Sequence, residues 1–150
     1  MNIYNSRKLD LYNDIAIGYR NMGVCENYMN ADYLNFVTSF EHRRALAQLR
    51  LSSHRLEIET GRWKTPATEQ KLRFCKHCNN NQVGDENHFL FRCTYLTELR
   101  NKYLDFLPTV TDKSYMIDLL QCKNLYKTAK LAIFTFLGFN KMYKNENSDD

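Results

Sequence analysis

An all-α fold is predicted for this 150-residue chain by three observations. Gly (5) and Pro (2) are scarce, which disfavours a many-turned sandwich or barrel and favours helices joined by short loops. Apolar residues recur at helical intervals behind good capping residues. Cys75, Cys78, His88 and Cys93 fall within nineteen residues and can clip the middle of the chain. The expected product is one small helical domain with a central Cys/His clip and one short extended segment.

The elements follow in order. Tyr4, Leu11, Tyr12, Ile15 and Tyr19 predict a helix over 4–20, and residues 21–30, with Gly23 and three asparagines, a loop. Thr38 with Glu41 three positions later fits a capping box. It opens a helix over about 39–51 that buries Leu46 and Leu49 and turns Arg43, Arg44 and Arg50 away from the core. Ser52 and Ser53 weaken its end. Residues 54–59 alternate, so an extended segment with Leu56 and Ile58 inward is expected. Gly61 permits a turn, Pro66 lies in a loop, and a polar helix over about 67–72 leads to Cys75.

Asp85 can cap a short helix over 86–91. His88 and Cys93 are five apart, about 140° on a continuous α-helix, so a break is required before both can face one point. Thr94, a good N-cap, supplies that break and starts a helix to about 107, with Leu96, Leu99, Tyr103 and Phe106 as its stripe. Pro108 stops it. Helices over about 112–121 and 125–143 follow, then a polar tail. The domain thus divides into 1–32, an N-terminal helix and loop; 33–107, a basic helix plus the Cys/His module; 108–143, C-terminal helices; and 144–150, the tail.

The spacing C-x2-C-x9-H-x4-C carries the chemistry. Two thiols three apart sit at the ends of a turn, and a later His and Cys can close a tetrahedral Zn²⁺ site. Such a site is filled by protein, so it reads as structural rather than catalytic zinc. His77 lies between two ligands and is expected to point away. Cys25 and Cys122 read as core or surface thiols. The Cys count of 5 is odd and the start (MNIYNSRKLD) is polar, which disfavours a disulfide framework and points to the nucleus or cytoplasm. No run approaches the ~20 apolar residues that span a bilayer, so no membrane partner is expected.

Charge is uneven. Residues 42–76 hold nine basic side chains against three acidic, whereas 77–150 hold nine of each. Such a block suits a phosphate backbone, although a solvated basic helix face would look the same.

The strings HRRALAQLRLSSHRLEIETGRW (His42 to Trp63), FCKHC, VGDENHFLFRC and YLTELRNKYL together resemble the segment downstream of the reverse transcriptase in non-LTR (LINE-type) retrotransposon polyproteins. The likeness spans about residues 33–105. The family commonly has Pro after the last Cys, where this chain has Thr94. Neither the polymerase palm nor the endonuclease would fit in this length. The resemblance therefore implies a non-catalytic module that contacts template RNA or target DNA, with a reverse transcriptase body as a further partner. In that reading Arg43, Arg44, Arg50, Arg55, Arg62 and Lys64 hold phosphates on one shared face, and Trp63 stacks on an unpaired base. Trp63 could instead anchor the core, and His54 could make an orienting hydrogen bond rather than touch phosphate. The competing reading is a zinc-stapled scaffolding domain that binds protein. Independent catalysis is disfavoured: Glu86, the one acid suited to an open metal site, is better explained as a first-turn helix acid.

Overall fold

The computed structural model describes residues 14–15 and 35–144, and within them the chain is helical, without a strand. Of the expected helix over 4–20 only Asp14 and Ile15 are described, both helical. The loop 21–30, Cys25 and the end of the tail lie outside the described residues.

Helix α1 (Phe40–Arg50) begins one residue later than the capping-box reading. Ser39 is the N-cap, accepting from His42 N–H at 3.4 Å, and Glu41 serves only as a first-turn acid facing the helix dipole. The helix ends in a Schellman motif. Ser52 takes φ 51°, Ser53 N–H donates to Gln48 O (2.8 Å), and Ser52 N–H donates to Leu49 O (3.3 Å). The two serines thus close the helix.

The segment expected to be extended turns helical. Leu56 is extended, but Glu57–Thr60 form the short helix α2, which runs into a 3₁₀ turn at Gly61–Trp63. Leu56 and Ile58 face inward as expected, and Glu59 is buried beside them. A period of two could not reveal this turn, because a single helical turn also buries two residues of four. The helix expected at 67–72 shrinks to a 3₁₀ turn at Gln70–Leu72.

Beyond the Cys/His segment come a 3₁₀ turn (Thr94–Leu96), α3 (Thr97–Tyr103), α4 (Lys113–Leu120) and α5 (Leu125–Lys144). Helix α3 stops well before Pro108. Asp112 caps α4 through Tyr115 N–H (2.8 Å), and Asn124 Oδ1 accepts from Lys127 N–H (3.1 Å) in the first turn of α5. The 20-residue α5 is the spine, packing chiefly on α1, then on α3 and α4. Its apolar stripe of Leu131, Phe134, Phe139 and Met142 meets Leu46, Leu49, Phe89 and Leu96 in one core. Gly138 lets this spine approach the Cys/His segment, since a Cβ there would lie 2.9 Å from the buried Phe89 ring. Among the described residues no helix is long and apolar enough to cross a membrane.

Candidate metal centre and the basic face

The Cys/His segment is a hairpin followed by a widened helical turn. Phe74 and Val83 form an isolated antiparallel bridge, Cys75 N–H donates to Gln82 O (2.8 Å), and Gly84 N–H donates to Arg73 O (2.9 Å). Asn81, at φ 49°, turns the chain between these arms, a conformation Asn tolerates better than most residues. This hairpin delivers Cys75 and Cys78.

His88 and Cys93 arrive by a route that spacing alone did not reveal. Asp85 caps the turn as expected, its Oδ1 accepting from His88 N–H (2.9 Å). The helix then widens into a π-turn at His88–Arg92, closed by Cys93 N–H to His88 O (2.8 Å). Thr94 is not the N-cap that makes the break. Cys93 occupies that position with extended backbone, and Thr94 opens a 3₁₀ turn without a side-chain cap.

The four side chains converge, with their ligand atoms all within 4.8 Å of one another, and all four residues are buried. Cys75 Sγ lies 3.9 Å from Cys93 Sγ, and Cys78 Sγ lies 3.3 Å from His88 Nε2. A tetrahedral zinc with Zn–S near ~2.3 Å requires ligand–ligand edges of roughly 3.5–3.8 Å, and these two separations lie within a few tenths of an ångström of that range, so the set could close on such an ion with small shifts. His88 Nδ1 lies 3.1 Å from Gln82 Oε1. An amide oxygen accepts only from a protonated Nδ1, which leaves the Nε2 lone pair facing the sulfurs. His77 is outside the cluster, stacked on Tyr95 at 5.3 Å.

Without metal the thiols share protons unevenly. The hydrogen bond to Cys93, then burial, pushes Cys75 up to about 12, and the same bond holds Cys93 below the usual thiol value. Cys75 therefore keeps its proton at neutral pH. Backbone N–H groups of His77 and Cys78 pull the Cys75 value back toward ionisation, the polarity that a metal-bound thiolate needs.

Two supports were missed in the sequence. Arg100, on α3, donates to the carbonyls of Leu90 (2.8 Å), Phe89 (3.3 Å) and Cys93 (3.0 Å), capping the end of the π-turn with a cation next to the Cys93 sulfur. Glu86 stands in the first helical turn as expected, and its side chain is not exposed. It is buried and accepts from Ser52 Oγ–H (2.8 Å) and from His54 Nε2–H (2.8 Å), while His54 Nδ1 accepts from Leu56 N–H (3.3 Å). His54 is thus an orienting group between α1 and the metal segment.

The six basic side chains do not share one face. Arg50 is only 5% exposed and close enough to the buried Cys122 to act on its thiol, so it belongs to the interior. The signal lay in the helix period, because Arg50 follows the core residue Leu46 by four. Arg62 is held by the buried Glu59 carboxylate (3.0 Å), and Arg43 Nη1 donates to Val37 O (3.3 Å). Arg44, Arg55 and Lys64 are exposed. Arg44, Arg55 and Trp63 meet at a groove of about 630 Å³ between α1 and α5. Trp63 is 60% exposed and does not anchor the core.

No family model matches the chain, and no curated protein or solved structure matches it either.

Proposed function

We propose that this protein is a non-catalytic, zinc-stabilised nucleic-acid-binding module, akin to the region downstream of the reverse transcriptase in non-LTR retrotransposons. The observation that carries the reading is the junction of a closed metal clip with a basic, aromatic surface. Cys75, Cys78, His88 and Cys93 form a complete ligand set. Arg44, Arg55 and Trp63 meet at one groove on the same small fold.

Cys75, Cys78, His88 and Cys93 would hold Zn²⁺, whose contribution when bound is structural, tying the hairpin to the π-turn. The chain's own residues do the rest. Gln82 orients His88, Arg100 holds the carbonyls behind Cys93, and the Ser52–Glu86–His54 network joins α1 to the clip. The exposed cations Arg44, Arg55 and Lys64 then stand on a rigid base where they can contact phosphates of RNA or DNA.

Arg50, Arg62 and Arg73 favour the second reading, a scaffold that binds protein, because the fold uses all three internally. Arg73 donates to Ile58 O (2.7 Å) and to Thr68 O (2.9 Å). Titration of the zinc-loaded chain with single-stranded RNA, duplex DNA and a flap, across salt, separates the two. Nucleic-acid binding requires log K to fall linearly with log salt, and the pair Arg44→Gln/Lys64→Gln to flatten that slope by about one unit per lost phosphate contact. Absence of binding to all three at low salt rejects the nucleic-acid reading in favour of the scaffold.

A further inference from the structure

The groove between α1 and α5 combines groups that composition does not put together. Its volume, about 630 Å³, is in the range of small-ligand clefts. Trp63 comes from the 3₁₀ turn after α2, Arg44 from α1, and Asn140 and Tyr143 from α5, some eighty residues further along the chain. Ala45, on the groove side of α1, leaves the Phe136 and Phe139 rings at the floor.

The polar groups are placed for a nucleotide. The Arg55 guanidinium lies 5.7 Å from the Tyr143 ring centroid, and the Arg55 backbone N–H donates to Tyr143 Oη (2.8 Å), so Tyr143 holds Arg55 at the lining of the groove. Arg44 stands on the α1 side. Two guanidiniums can each take a phosphate, an exposed indole gives a base a face to stack on, and a carboxamide offers a donor and an acceptor to a base edge. Glu41 also lines the groove, and its carboxylate would repel a phosphate on its side.

We propose that this groove seats one unpaired base of a single-stranded nucleic acid. Trp63 is the stacking platform, Asn140 the edge contact, and Arg44 and Arg55 hold the flanking phosphates. The inference rests on the nucleic-acid reading above and adds to it a preference: bases inside a duplex are stacked on each other and cannot enter, so the groove selects unpaired strands.

Trp63 is the sole tryptophan, so its emission reports on the groove directly. The zinc-loaded full chain would be titrated with three probes of equal length: a mixed-sequence single strand, an abasic strand with the same phosphates, and a blunt duplex. The base-bearing strand should quench Trp63, and the other two should bind without quenching. Trp63→Ala and Asn140→Leu should weaken the base-bearing strand by about tenfold, followed by anisotropy of the labelled strand, and change the other probes by less than about twofold. Trp63→Phe keeps a ring and should restore most of the affinity, which separates stacking from a folding defect.

Binding of all three probes with no change in Trp63 emission, or equal weakening of all three by the variants, overturns the groove proposal and leaves the nucleic-acid reading standing. No binding by any probe overturns both. Quenching by a glutamate–tyrosine copolymer and by none of the strands would assign the groove to an acidic polypeptide, and that too overturns the proposal.

Discussion

Cys93 N–H donates to the carbonyl of His88 across 2.8 Å, and this one bond lets two residues five apart serve the same site. On a regular α-helix they would stand about 140° apart. A π-turn closes its hydrogen bond at i+5, which brings its two ends into line. The Phe89 and Leu90 carbonyls within this turn accept from Arg100, at 3.3 Å and 2.8 Å, so the wider turn leaves neither without a donor.

The turn predicts unequal effects of insertion and deletion. Deleting Arg92, an exposed residue, leaves His88 and the following Cys four apart, an ordinary α-turn that keeps both on one face. Zinc affinity should stay within about tenfold. Inserting one alanine after Arg92 makes the separation six, about 240° on an α-helix, and affinity should fall by more than about a hundredfold. Competition against a chromophoric chelator measures both, and equal losses would contradict the geometry.

Metal affinity should rise with pH. Cys75, pushed up to about 12, keeps its proton at neutral pH in the metal-free protein, so loading must expel it. Affinity should therefore climb by at least about tenfold per pH unit between pH 6 and 8. Calorimetry in buffers of different ionisation enthalpy should record at least one proton released per ion at pH 7. For the metal-free fold the sign for Cys75 is the opposite. A group raised on folding contributes its full stability below the unfolded thiol range, and that contribution is lost as pH rises toward 12. Cys93, lowered by the same bond, contributes above the unfolded range and loses its share as pH falls through its folded value.

Arg100→Met should destabilise the zinc-loaded chain by about 2–3 kcal/mol, since it strips a charged donor from three carbonyls at once. Arg100→Lys should recover only part, because an ammonium cannot reproduce the planar fork. Urea unfolding with metal content followed in parallel checks this. A neutral Arg100→Met would mean that water serves those carbonyls equally well.

Much of this was legible along the chain. The helical class, the cap at Asp85, the bounds of the last helix and the four convergent Cys/His side chains were readable from residue types and spacing. Local rules failed where two local signals tied. Ser39 and Thr38 are both competent caps, and the helix starts from Ser39. Leu56 and Ile58 would be buried by a strand or by a single turn. Arg50 was legible and missed, because its basic charge was weighed above its place on the Leu46 face.

By itself, then, the sequence determined the longer helices, the four Cys/His residues of the candidate metal cluster and the basic character of residues 42–76, because period, capping and donor chemistry can be read along the chain. Tertiary structure decided the rest. It turned Arg73 inward, since that guanidinium donates to the Ile58 carbonyl fifteen residues away. It buried His54 against Glu86, thirty-two residues away, and brought Trp63 and Tyr143 to the lining of one groove. Those pairings depend on how α5 lies across α1 and the clip, and no spacing along the chain encodes a distance between helices.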